Sequence, residues 1–574
     1  MKRNDTMKSL KTSILIIMML FPFPAWAGTY HLDIDSKTIT VSGKVVSKIA
    51  VNDSIPGPAL YFTEGEDVTI TVTNHLEEDS SIHWHGLLLD PKMDGVPGLN
   101  GWPGIMPGET FTYKFKIRQT GTYWYHSHSG GQEQDGVYGA LVIAPKGEDP
   151  VQSDRDYVVV LSDISPETPE QIIGNLKMSS DYYQYNRRTI GDFFSDVKER
   201  GFSRTWANAK MWGKMRMLPT DLSDVTGYTF LVNGRSPDEN WTGLFKPGDR
   251  VRLRFINASA MSFYDVRIPG LKMQVVSSDG QNVEPVPVDE FRFGVAETYD
   301  VIVTPKEDKA YTITAEPIDR TGFGIGTLAS REGMRGEMPQ QRPRALLTMA
   351  DMGMDISGMD HSKMDHAEMQ QMMENMKGSW GKAGTPVGDK ALEYKDLRYL
   401  GTQKDIRQPE RSIEVRLGGN MERYIWTMNG KKYSESGPIK LRYGERVRLK
   451  FDNDTMMAHP MHLHGMFVQL ENGQPAGKLP NKHTVIVPPG QSYSVLLTAD
   501  EAGEWAFHCH LLYHMMAGMM TKAVVAKLDA ADVPIKARKV SLHEGHTMPL
   551  KDDMENMDHS SHKVEGEGGP HHAH

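Results

Sequence analysis

One ten-residue unit occurs three times in this chain, and it limits the fold more than any other feature. The first copy runs from Gly65 to Asn74 and leads into His83-Trp84-His85. The second runs from Gly248 to Asn257 and leads into Phe263-Tyr264-Asp265. The third runs from Gly444 to Asn453 and leads into His459-Pro460-Met461-His462-Leu463-His464. Each copy opens on a glycine turn, alternates apolar and polar residues as in Val68-Thr69-Ile70-Thr71-Val72, and closes on asparagine. Three copies predict three homologous domains, near residues 28–150, 151–325 and 385–530. Short alternating runs punctuated by Gly, Pro and Asn begin at Tyr30, and no long amphipathic helical pattern is visible before a later Met-rich segment. Each domain is therefore expected to be an all-β sandwich. The first and third copies lead into histidines and the second does not, so the middle domain is expected to be structural, holding the outer two in register.

Three stretches fall outside this plan. Met1 to Ala27 reads as a secretory leader: Lys2, Arg3, Lys8 and Lys11 precede a short apolar run from Ile14 to Phe23, and Ala25-Trp26-Ala27 resembles a cleavage site. The run is shorter than the roughly 18 apolar residues of a membrane span. Lys2-Arg3 is not a twin-arginine signal, so the general secretion route and a periplasmic address are expected. Residues 326–384 form an insert in which eleven methionines stand between Gly333 and Lys377, with His361 and His366. Its part from Asp355 to Lys377 is rich in good helix formers. The tail, residues 531–574, is polar, carries seven histidines with Met548, Met554 and Met557, and is expected to be flexible. A net charge of -10 without a basic tract argues against nucleic-acid binding.

The single cysteine of the chain, Cys509, rules out an intramolecular disulfide and stands between two histidines in His508-Cys509-His510-Leu511-Leu512-Tyr513-His514, with Met519 beyond. On a strand, neighbours face opposite sides. Cys509 would then face one way and His508 and His510 the other, so one strand can serve two metal sites. The same rule separates His459 from His462 and His464. It gives His459, Cys509 and His514, with Met519 axial, as a mononuclear site inside the third domain. A thiolate, two imidazoles and a weak thioether suit copper electron transfer. Eight histidines are left: His83, His85, His126, His128, His462, His464, His508 and His510. Four come from the first domain and four from the third. They are too many for one ion and could hold three coppers, at a site that forms only where the two domains meet.

These motifs resemble those of the multicopper oxidase superfamily, in the order HWHG, HSH, HPMHLHG and HCHLLYHMMAGM, over nearly the whole chain after the leader. The match is closest to the periplasmic copper-resistance protein A type. The run from Asp181 to Phe194 resembles that family's second-domain signature, and Met93-Asp94-Gly95-Val96-Pro97-Gly98 its first-domain loop. The resemblance implies three cupredoxin-like Greek-key domains, a type 1 copper and a type 2/type 3 trinuclear cluster. It places His83 and His462 at the type 2 ion, and His85, His126, His128, His464, His508 and His510 at the type 3 pair. It implies that electrons enter one at a time and pass through Cys509 to the cluster, where four of them, with four protons, reduce dioxygen to two waters. It also puts a proton-relay acid at Asp94, although a turn residue before Gly95 reads equally well there. Met515 and Met516 stand where relatives often carry a second acid.

Thioethers prefer Cu(I). The Met-rich insert is expected to recruit Cu(I), or to cover the type 1 site and exclude bulky organics. The reading that follows is a cuprous oxidase acting in copper resistance. The reductant is Cu(I) or a small organic molecule, the oxidant is dioxygen, and other periplasmic copper-handling proteins are candidate partners. Extra copper is expected to bind loosely on the Met- and His-rich segments. A laccase-like phenol oxidase and a copper-sequestering protein are the alternatives.

Overall fold

A computed structural model describes residues 28–527 apart from 186, 216–217, 221, 344–345 and 348–383. The leader, most of the Met-rich insert with its expected helix, and the tail lie outside the described residues. Strands dominate, and they form six sheets that fall into three successive pairs along the chain.

The three repeats occupy the same place in each pair. Strand Asp67–Asn74 runs parallel to Thr29–Val41 and antiparallel to Thr110–Lys116. Strand Val251–Asn257 lies in the same way between Arg155–Ile164 and Thr298–Val303. Strand Arg446–Asn453 lies between Arg411–Asn420 and Ser492–Thr498. The closing asparagine has a physical cause. Asn74, Asn257 and Asn453 are buried, and each accepts from the backbone N–H two residues on, at 2.9–3.1 Å. Each Nδ2 donates across the sandwich, to the carbonyls of Ile105, Phe293 and Val487 respectively. An asparagine side chain can satisfy both sides of such a turn at once.

The second sheets of the middle and last pairs share one strand order. In the last pair it is Ile439–Arg442, Met520–Ala526, Gly503–Cys509, His459–Leu463, Thr484–Val487. In the middle pair, strand Tyr264–Arg267 takes the place of His459–Leu463. There the buried Asp265 meets Arg292 at 2.7 Å, Arg320 at 2.6 Å and Arg342 at 3.2 Å. The middle repeat thus fills with fixed ion pairs the position that its neighbour fills with histidines.

The structure corrects one expectation. Helices precede the Met-rich segment: Pro169–Met178, Ile190–Arg200 and Phe202–Met215 interrupt the middle domain. The first two start at capping boxes, Thr168 with Gln171 and Thr189 with Asp192. Ile190, Phe194, Phe202 and Trp206 remain exposed, which blurs the apolar stripe that would announce a helix.

Candidate metal centre

His459 lies on strand His459–Leu463, Cys509 ends strand Gly503–Cys509, and His514 lies on the short helix Leu512–Met516. Met461 pairs with Cys509 and His462 with His508, so the two strands present matched faces. On one face Cys509 Sγ lies 3.5 Å from His459 Nδ1 and 3.7 Å from His514 Nδ1, and the two Nδ1 atoms are 3.2 Å apart. Met519 is fully buried, and its carbonyl accepts from the Cys509 N–H.

The outer nitrogens fix the protons. Thr455 donates its hydroxyl to Asn453 and accepts from His459 Nε2–H at 2.7 Å, and His514 Nε2–H donates to Asp224 Oδ2 at 2.7 Å. Both Nδ1 lone pairs therefore face each other and the sulfur, an arrangement that a cation relieves. Burial pushes the Cys509 thiol up, so its thiolate also requires a cation. Burial raises Asp224 to about 7, against the lowering effect of the Tyr424 hydroxyl. Trp426 stacks on His514 with ring centroids 3.9 Å apart.

The other eight histidines gather where the first and third domains meet. Strand His83–His85 pairs with Gly121–His126, and Trp84 turns the opposite way, into the first domain's core against Tyr113. Nε2 of His508 lies 3.3 Å from that of His128 and 3.1 Å from that of His464. His464 Nδ1–H donates to Asp94 Oδ2 and His508 Nδ1–H to its own residue's neighbour, the Cys509 carbonyl. Their Nε2 lone pairs again oppose one another. Nε2 of His83, His126, His462 and His510, and Nδ1 of His85, are buried without a partner. Unpaired buried nitrogens are costly in a metal-free protein and are what metal ligands require. Burial holds His85, His126, His128, His462, His464 and His510 well below the usual imidazole range, and His508 at about 4. They are neutral at neutral pH, the state that binds metal. The residues present thus fit copper.

Asp94 sits at the rim of the cluster and also in a turn. It caps the short helix Pro91–Met93, its carbonyl accepts from His83 Nδ1–H at 2.8 Å, and its carboxylate reaches His464. Gly95 must be glycine here, since φ is +77° and a Cβ would lie 1.8 Å from the Ile82 carbonyl oxygen. Met515 and Met516 line a cavity of about 550 Å³ together with His128 and Met520.

Sequence reading missed three neighbours of the candidate metal ligands. Glu133, on the short helix Gln132–Asp135, lies 2.8 Å from His126 Nδ1 and 3.8 Å from His510 Nδ1. His483 Nδ1 lies 3.1 Å from His85 Nε2, and its carbonyl accepts from His462 Nδ1–H at 2.7 Å. Asp224 comes from the middle domain. Of the three, only Glu133 gave a sequence signal, its position seven residues after His126 in the turn that follows HSH.

Multicopper oxidase family models match residues 33–148, 184–332 and 407–529. The chain belongs to the multicopper oxidase family. It is 47% identical to a "Copper resistance protein A homolog" of Pseudomonas syringae pv. tomato, over 90% of this chain and 97% of the relative. It is 46% identical to "Copper resistance protein A" of Escherichia coli, over 86% and 92%. Among solved structures, Fet3p, titled a multicopper oxidase that functions in iron import, matches with a TM-score of 0.64 at 21% identity, covering 87% of this chain and 90% of that one. The oxidase is thus an oxidoreductase built from cupredoxin-like domains, and its family carries type 1, type 2 and type 3 copper. The three domains keep the boundaries expected above as a proposal. No described helix is long and apolar enough to cross a membrane.

Proposed function

We propose that this oxidase converts Cu(I) to Cu(II) and passes the electrons to dioxygen, in copper resistance and in the periplasm. In this reading His459, Cys509, His514 and Met519 hold the type 1 copper, His83 and His462 the type 2 ion, and the other six histidines the type 3 pair. The bound coppers supply one-electron redox chemistry and the place where dioxygen is reduced. The protein holds the ligands, carries charge through the Cys509 backbone to His508 and His510, and keeps bulk water from the buried imidazoles.

One observation supports Cu(I) above other reductants. A cavity of about 340 Å³ is lined by Asp181, Asp224 and Asp454 and by Met421, Met456 and Met457, with Trp426 in its wall. Asp224 in turn holds His514. Carboxylates attract a cation, and thioethers select a soft one. The backbone N–H of Leu347 donates to the Pro219 carbonyl, and Leu218 and Thr220 line the same cavity. Leu347, inside the Met-rich insert, is thereby held close to this cavity.

Changing Met421, Met456 and Met457 together to leucine removes the thioethers and keeps the volume. The expected result is a KM for Cu(I) raised about tenfold, the equivalent of about 1.4 kcal/mol, with turnover of a bulky phenol unchanged. An unchanged KM for Cu(I) would favour the phenol oxidase reading.

Asp94 is proposed to relay protons to the cluster through its Oδ1, the buried carboxylate oxygen left without a hydrogen bond while Oδ2 accepts from His464. Asp94→Asn keeps an acceptor for His464 and loses the acid. Dioxygen turnover is expected to fall about a hundredfold while Cu(I) still bleaches the type 1 colour at the normal rate. Oxygen-electrode and stopped-flow measurements on one preparation give both numbers, and unchanged turnover removes Asp94 from the relay.

A further inference from the structure

His31 and Asp33 lie two residues apart on strand Thr29–Val41, so their side chains share a face. His75 directly follows strand Asp67–Asn74, which runs parallel to the first with Asp33 opposite Thr73. Nε2 of His31 and Nε2 of His75 approach the same oxygen, Asp33 Oδ1, at 3.1 and 3.0 Å. All three side chains are about half exposed, far from the buried imidazoles of the cluster in character and sharing no residue with it.

His31 Nδ1 lies 2.7 Å from Thr71 Oγ1, whose hydroxyl is also 3.3 Å from the Tyr30 carbonyl. Without a cation, the Thr71 hydroxyl donates to His31 Nδ1 and His31 Nε2–H donates to Asp33 Oδ1. With a cation on Nε2, Nδ1–H would donate to Thr71 Oγ1 and the hydroxyl would turn to the Tyr30 carbonyl, so the same contacts serve a bound state. The backbone beneath is held as well: Asn52 Oδ1 accepts from the Asp33 N–H at 2.6 Å, and Asn52 Nδ2 donates to the His31 carbonyl at 2.9 Å. The ligands therefore project from a fixed strand pair, and Thr71 supplies the outer hydrogen bond that bound histidines usually have.

We propose that His31 Nε2, His75 Nε2 and Asp33 Oδ1 form a peripheral divalent-cation site that binds Cu(II) most tightly. Two imidazoles and a carboxylate on an open surface suit Cu(II), which also stands above Zn(II) in intrinsic affinity. The remaining coordination positions face water. The site does not depend on the cuprous-oxidase reading, although under that reading Cu(II) is the product released into the surrounding medium.

The test uses the copper-loaded full-length oxidase in equilibrium dialysis against Cu(II), and crystals of it soaked in Cu(II). The wild type is expected to show anomalous scattering at the copper edge between the three named atoms. The His31→Ala/His75→Ala variant is expected to bind one ion fewer, with its blue colour unchanged. Ions on the His-rich tail are common to both proteins and cancel in the difference. Thr71→Val, which leaves all three ligands in place, is expected to weaken that one ion about 10–100-fold. Equal ion counts in the double variant and the wild type, or no anomalous peak at these atoms, would overturn the proposal and leave a His31–Asp33 salt bridge.

Discussion

Replacing Cys509 by serine is expected to remove the blue colour and to cut oxygen consumption with Cu(I) by at least about a hundredfold. The expectation rests on position. Cys509 Sγ lies within 3.7 Å of both His459 Nδ1 and His514 Nδ1, while the residues bonded to it on either side belong to the eight-histidine cluster. The loss of an outer partner of a metal ligand costs about 10–100-fold, so the loss of a first ligand costs at least the upper end of that range. Serine is close in size and can keep the hydrogen bond that the sulfur takes from the Leu511 backbone, so the fold should survive. The cluster should still fill with copper, because none of its imidazoles changes. Visible absorption, oxygen-electrode rates and a copper count on the same sample check all three statements. Copper tolerance of cells that survived the loss of colour and turnover would instead favour a sequestering role.

The second large effect is expected at His483, which the motifs do not contain. Its backbone N–H and that of Thr484 both donate to Asp279 Oδ2 at 3.0 Å, and Asp279 belongs to the middle domain. Its ring reaches His85 of the first domain, and its carbonyl holds His462 of the third. The neighbouring Lys482 is fully buried, with Nζ 2.7 Å from Glu297 and 3.2 Å from Asp279. One residue thus ties all three domains to two histidines of the cluster. By occupying His85 Nε2, the His483 ring leaves Nδ1 as the nitrogen that turns inward. His483→Leu is expected to weaken copper binding at the cluster about 10–100-fold, with loss of the near-ultraviolet absorption of the type 3 pair. The type 1 colour should persist, since His483 touches none of those ligands. His483→Asn keeps a polar atom near the place of Nδ1 and should restore most of the cluster signal. A leucine variant with normal cluster absorption and copper count would show that His85 is oriented without His483.

What could be read from the sequence was what repeats or alternates locally. The three strands ending at Asn74, Asn257 and Asn453 were visible because a turn, an alternating run and a closing amide recur at fixed spacing. Sorting Cys509 from His508 and His510 needed only the two-residue period of a strand, and the registered pairing of Met461 with Cys509 and His462 with His508 shows the same two faces. What could not be read was set by distant chain. Asp224 reaches His514 across 290 residues, and His483 reaches His85 across 398. Neither carries a local period, because a single hydrogen bond between remote loops leaves no pattern in its neighbours. The helices from Pro169 to Met215 were hidden for another reason. They are short, two of them start on a single Thr-x-x-Gln/Asp box, and their exposed aromatics do not form a clean stripe. The charged group around Asp265 explains the missing histidines of the middle repeat only after the strand order is known.

The most direct test of the central claim is the stoichiometry of oxygen consumption by the copper-loaded oxidase supplied with Cu(I) as its sole reductant. The expected result is four Cu(I) oxidised for each dioxygen consumed, with no hydrogen peroxide released and with the rate dependent on Cys509. Two Cu(I) per dioxygen with peroxide accumulating, or Cu(I) taken up without oxygen consumption, would contradict it.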